Sequence, residues 1–122
     1  MTREVSATAI LLRSGDGDSW RFAVDLAGAG VASNDRVALV LFDAALVALL
    51  SPDATHAAVL RDLAVVRALG RATQSFEVIA CSGAVERIGA DPDKLVDDGV
   101  LDDVRGLPAI WRHAAGMRLV TI

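Results

Sequence analysis

Cysteine is nearly absent from this 122-residue chain, and Cys81 stands alone. One thiol cannot close an internal disulfide, form a Cys-x-x-Cys redox pair or build a zinc cluster of the usual kind. Aromatic residues make up only 4%. Trp20 and Trp111 fall at helix starts or centres and read as core or interface residues rather than stacking platforms. Basic residues are outnumbered, with a net charge of −4 and an isoelectric point near 5.0. An acidic chain without a basic stripe gains no counterion release, which excludes nucleic acid as an expected partner. No apolar run reaches the ~18 residues a membrane helix needs. The longest, residues 37–50, carries Asp43 in its middle and stops at Ser51-Pro52. Met1-Thr2-Arg3-Glu4 lacks the apolar core of a signal peptide, so a cytoplasmic location and no membrane contact are expected.

Several familiar chemistries are missing as well. Gly-x-Ser-x-Gly and the dinucleotide glycine fingerprint do not occur. The loop Ser14-Gly15-Asp16-Gly17-Asp18-Ser19 fails as a calcium loop, because Trp20 and Arg21 stand where an oxygen ligand and a glycine are needed. It fails as a phosphate loop because no Gly-Lys-Ser/Thr closes it. His56 and His113 sit in helical segments without an apparent partner and read as surface or interface residues. Neither a metal nor a cofactor is expected.

What is abundant is aliphatic. Hydrophobic residues reach 53% and mean hydropathy is +0.45, a surplus for one small domain spanning residues 1–122 and a reason to expect subunit interfaces. Residues 7–13 read as a first strand. The helix after the Ser14–Ser19 loop is expected over 20–29, capped by Asp18 or Ser19 and ended by Gly28 or Gly30. A second strand follows over 36–42, nearly continuous in Val, Ala and Leu, as a strand buried on both faces should be. Asp43 caps a short helix over 44–50. Pro52 then opens a longer helix closed by Gly70, with Val59, Leu63 and Val66 as its apolar stripe. Asp91-Pro92-Asp93 starts a short helix ending at Gly99, Val100-Leu101 is a candidate strand, and Leu107-Pro108 begins a helix through residue 115. Residues 117–122 form the closing strand. The six aspartates from Asp91 to Asp103, relieved only by Lys94, read as a solvated, helix-capping surface. Strands alternating with helices predict an α/β sandwich on a mostly parallel sheet of about five strands.

The stretch that organises the rest is Phe76-Glu77-Val78-Ile79-Ala80-Cys81-Ser82-Gly83. A buried parallel strand runs into the only thiol and then directly into a helix over 84–88. Open α/β sheets bind ligands at the carboxyl ends of their strands. The Phe42-Asp43-Ala44 junction is a second strand-to-helix turn and belongs at the same end of the sheet. A helix N-terminus favours thiolate over thiol. The other reading is that Cys81 is a small buried hydrophobe.

The segment Ala80-Cys81-Ser82-Gly83-Ala84-Val85-Glu86-Arg87-Ile88-Gly89 resembles the DsrE/DsrF-like (YchN-like) family, in which a cysteine ends a strand and is followed by a small residue, an arginine and a glycine. Leu95-Val96-Asp97-Asp98-Gly99-Val100, Gly106-Leu107-Pro108-Ala109-Ile110 and Leu119-Val120-Thr121-Ile122 are similar to later parts of that family. The resemblance implies a flavodoxin-like three-layer sandwich. It also implies assembly as trimers or hexamers, alone or with paralogues, and a cysteine that carries sulfane sulfur between sulfur-donor and sulfur-carrier proteins. Cys81 would be the sulfur carrier and Ser82, Gly83 and Ala84 would stabilise the persulfide anion. Gly15, Asp16, Asp43 and Arg87 are the expected walls of a pocket around it. A non-catalytic structural or small-ligand-binding subunit of the same fold is the alternative.

The charge balance yields the first prediction. Titration of labelled RNA with the protein is expected to give no tight, salt-sensitive shift; a retarded band that disappears as salt rises would contradict the reading.

Overall fold

Three strands are built almost wholly from side chains that suit a two-sided apolar environment. β1 (Ala7–Leu12) and β2 (Arg36–Leu41) carry Val, Ile, Leu or Ala at five of six positions each, and β3 (Phe76–Cys81) adds Phe76 and Cys81 to Val78, Ile79 and Ala80. In the computed structural model, which describes residues 6–122, these strands are the centre of a five-stranded sheet. Two shorter strands complete it, β4 (Asp103–Arg105) and β5 (Arg118–Thr121). The order is β4-β3-β2-β1-β5 and every pairing is parallel. Leu39 of β2 lies between Ile10 of β1 and Val78 of β3, and all three are fully buried.

Parallel neighbours need crossovers, and helices supply them. They are α1 (Gly17–Ala32), α2 (Asp43–Leu50), α3 (Ala57–Thr73), α4 (Ser82–Arg87), α5 (Pro92–Asp97) and α6 (Leu107–His113). Two close contacts assign the faces. Gly30 of α1 abuts Val37 and Gly70 of α3 abuts Phe76, so Val37, Phe76 and their alternate neighbours face α1 and α3. His113 of α6 meets Glu77, so Glu77, Ile79 and Cys81 face the opposite layer. The result is a three-layer α/β sandwich of flavodoxin-like form, with all five strands parallel.

Several boundaries differ from the sequence expectation, each for a local reason. α1 starts three residues early because Asp16 accepts from the Ser19 N–H at 2.8 Å, which makes Asp16 the cap in place of Asp18 or Ser19. Gly28 and Gly30 do not end it; the helix continues to Ala32 and the glycines admit Val66 and Val37. α3 starts at Ala57 rather than at Pro52, since the Asp53 carboxylate takes the Thr55 N–H and hydroxyl at 2.9 and 2.6 Å and holds a turn there. Its end is at Thr73, with Gln74 in the left-handed region at φ 53°, while Gly70 lies inside the helix. Val100-Leu101 is not a strand. Leu101 is buried as a plug, and pairing begins where Asp102 bonds Val78 in both directions, before β4. The acidic stretch does cap and tie: Asp91 caps α5, and Asp102 meets Arg67 at 3.3 Å.

Trp20 is fully buried, whereas Trp111 is 73% exposed. No helix of the described residues is long and apolar enough to cross a membrane.

Gly70 carries the packing prediction. An exposed helical glycine replaced by alanine usually gains up to ~1 kcal/mol. Here a Cβ would lie 2.3 Å from Phe76 Cβ, so Gly70→Ala is expected to lose ~1–3 kcal/mol through overpacking. Urea unfolding measures the sign, and a raised midpoint would refute the contact.

Candidate functional site

The carboxyl ends of β1, β2, β3 and β4 lie along one rim, because all strands run the same way. Cys81 ends β3 and is also the N-cap residue of α4, with φ −69° and ψ 129°. Its side chain makes no capping hydrogen bond, so the sulfur is not spent on closing the helix. The N–H groups of the first helical turn, from Ser82, Gly83 and Ala84, have no partner within a helix by construction. Cys81 is 7% exposed and belongs to the core cluster on its inner side.

Arg87 sits one turn beyond Gly83, and helical side chains lean back toward the N-terminus. The point where a Cβ on residue 83 would stand lies 3.3 Å from Arg87 Nη1 and 3.8 Å from Cys81 Sγ. Gly83 therefore keeps open the space in which guanidinium and thiol converge. Arg87 is held from the other side by Asp43, whose Oδ1 accepts from Nη2 at 2.6 Å and Nε at 3.2 Å. That bond pushes the Arg87 pKa up from its ordinary value, with smaller contributions from Cys81 and Glu86. Asp43 itself has φ 42°, a left-handed conformation that aspartate tolerates better than most residues. Both side chains are more than half exposed, so the pair orients groups more than it stabilises the fold.

The expected pocket residues divide. Asp43, Arg87 and Cys81 come together, as described. Gly15 joins the same rim by contact with α2: a Cβ there would be 2.6 Å from the Ala44 carbonyl oxygen. Asp16 does not join them. Its carboxylate turns to its own helix, bonding the Ser14 hydroxyl and the Ser19 N–H and hydroxyl. Ser82 Oγ faces the start of α6, 3.7 Å from the point a Cβ on Gly106 would take. Two helix starts thus meet beside the thiol.

Both histidines, expected at a surface or an interface without an apparent partner, have partners within the chain. His56 is buried, with Nε2 at 2.7 Å from the Gly15 carbonyl oxygen and Nδ1 at 2.8 Å from Asp53 Oδ1. It pins the β1–α1 loop to the segment before α3. A carbonyl accepts only, so Nε2 carries a proton. His113 is half-buried and bonds Glu77 at 2.5 Å. Nothing in the local sequence marks either pairing, because 41 residues separate His56 from Gly15 and 36 separate His113 from Glu77. Among the described residues no group of three or more His, Cys, Asp or Glu side chains is arranged to hold a metal ion.

Asp16 generates a pH prediction. The Ser14 hydroxyl, then the Ser19 N–H and hydroxyl, lower its pKa to about 2. A carboxylate whose folded pKa is depressed contributes stability above its unfolded value of ~3.9 and loses it as pH falls through the folded value. The difference in Tm between the native protein and Asp16→Ala is expected to be full above pH ~4 and to shrink toward pH ~2. A difference that does not change with pH over that window would dispose of the capping role.

Comparison with known proteins shows the fold and no more. No family model matches the chain, and no curated protein matches it. Solved structures with similar architecture include a protein of unknown function, MTH1491, from Methanobacterium thermoautotrophicum. It is 17% identical, has a TM-score of 0.67, and the alignment covers 96% of this chain and 99% of that one. At this level of identity the likeness establishes that the two chains are folded alike over nearly their whole lengths.

Proposed function

We propose that this chain is a sulfur-relay subunit in which Cys81 carries sulfane sulfur as a persulfide. The observation that carries the reading is the convergence, across Gly83, of the Cys81 sulfur with the Arg87 guanidinium at the start of α4. The thiolate would attack the terminal sulfur of a donor persulfide. An Sγ–S bond forms, the donor's own S–S bond breaks, and its electron pair leaves as the donor thiolate. The terminal sulfur on Cys81 is an anion that the first-turn N–H groups and Arg87 favour. Reversal of the same exchange onto an acceptor thiol completes the relay. The partners in this reading are sulfur-donor and sulfur-carrier proteins of the cytoplasm. A trimer, a hexamer or a mixed assembly with paralogues would cover exposed apolar side chains such as Trp111, Leu107, Val65 and Leu69.

One observation favours the alternative of a structural or small-ligand-binding subunit. Cys81 is only 7% exposed and packs in the main core. Access therefore decides between the two.

The deciding experiment is alkylation of native protein across pH, followed by a persulfide donor and intact mass measurement. Labelling of the native chain and gain of one sulfur atom, removed by a reducing thiol, are expected. Arg87→Ala should slow the exchange only a few-fold, because the guanidinium is exposed and screened by solvent. Labelling only after denaturation, with no sulfur gained, would leave Cys81 as core packing.

A further inference from the structure

A cavity of about 340 Å³ opens at the opposite end of the sheet, where β2 and β3 begin and α3 ends. Three arginines line it, Arg36, Arg67 and Arg71, together with the acidic residues Glu77 and Asp102 and with Phe76. Each carboxylate is already engaged. Asp102 Oδ1 accepts from Arg67 at 3.3 Å and its Oδ2 accepts from the Val78 N–H at 2.7 Å. Glu77 bonds His113 at 2.5 Å and lies 3.9 Å from Arg105. Arg67 is further occupied by the Val100 carbonyl at 2.8 Å. Among the described residues, neither Arg36 nor Arg71 has a hydrogen-bonding or ion-pair partner for its side chain.

Two arginines whose side chains have no partner among the described residues therefore line one cavity, Arg36 from the first position of β2 and Arg71 from α3, in a chain whose net charge is −4. Guanidinium is a planar fork that matches phosphate or carboxylate oxygens two at a time. Gln74, on the rim, is held in the left-handed region at φ 53°, where glycine or asparagine is the usual occupant. It adds an uncharged amide to the two cations. Phe76 and Met117 supply an apolar wall for the body of a ligand.

The geometry points to a second site, at the amino ends of β2 and β3, that binds a compact organic dianion, a phosphate monoester above all, between Arg36 and Arg71. It is independent of the Cys81 chemistry and lies at the other end of the strands. Two positive groups without partners among the described residues call for two negative charges. The volume admits a small metabolite, in keeping with the ~300–1,000 Å³ of ordinary ligand pockets.

Glycerol 3-phosphate, inorganic phosphate and succinate serve as probes of the full-length protein, by calorimetry and by amide chemical shifts. Saturable binding of glycerol 3-phosphate at one site per chain is expected, tighter than inorganic phosphate, which cannot use the apolar wall. Succinate tests whether the charge alone suffices; binding equal to that of the phosphate ester would widen the ligand class to dicarboxylates and keep the site. The double variant R36Q/R71Q should bind roughly ten- to a hundredfold more weakly, the loss expected for charge-assisted hydrogen bonds. Both side chains are on the surface, and the single variant R71Q offers a milder loss if the double variant does not fold. Shifts should gather at residues 36–38 and 70–77. No saturable binding at millimolar ligand, unchanged affinity in R36Q/R71Q, or shifts at Ser82 to Ala84 instead would each overturn the site.

Discussion

Parallel pairing on both sides of β2 removes its backbone from water, so each N–H and C=O must be satisfied along the ladders to β1 and β3. Both faces of that strand then have to be covered, which is why five of its six residues are buried and aliphatic. The same pairing fixes direction. Strands that all run one way place every strand-to-helix turn at one end of the sheet and every helix-to-strand turn at the other. The thiol and the cavity lie at opposite ends for this reason.

At the carboxyl end, the arrangement depends on small residues where chains approach closely. Gly15 lets the first loop touch the Ala44 carbonyl, and Gly83 leaves room between Arg87 and Cys81. Asp43 accepts an unfavourable backbone conformation and uses its carboxylate on Arg87. The strand order reverses between β1 and β5. Cys81 stands one strand beyond β2, so the proposed chemistry uses the end of β3 and the start of α4 rather than the crevice of the reversal.

Two polar ties between distant elements have no counterpart in the aliphatic core. His56 fastens the Gly15 loop from below, and His113 fastens α6 to Glu77. Buried polar groups must find partners, and buried His56, like half-buried His113, finds one far away in sequence. Trp20 Nε1 is the exception among the described residues, a buried donor without a partner. The structure offers no physical account of it.

The succession of aliphatic runs and amphipathic stretches determined by itself that this is an α/β sandwich, since strand-forming residues and period 3.6 are properties of adjacent residues. It also placed Cys81 at a strand end before a helix, because that junction is contiguous. Glycine does not mark a helix limit where it serves packing: Gly30 and Gly70 are there for Val37 and Phe76, which no local rule can reveal. The same holds for Asp16, whose carboxylate caps α1 and does not face Cys81, and for Leu101, whose apolar side chain is buried outside any strand. Only the tertiary structure decided the pairing of Asp43 with Arg87, the burial of His56, and the gathering of Arg36, Arg67 and Arg71. These join residues up to 44 positions apart, and such contacts arise from the order in which strands assemble, which local sequence does not encode.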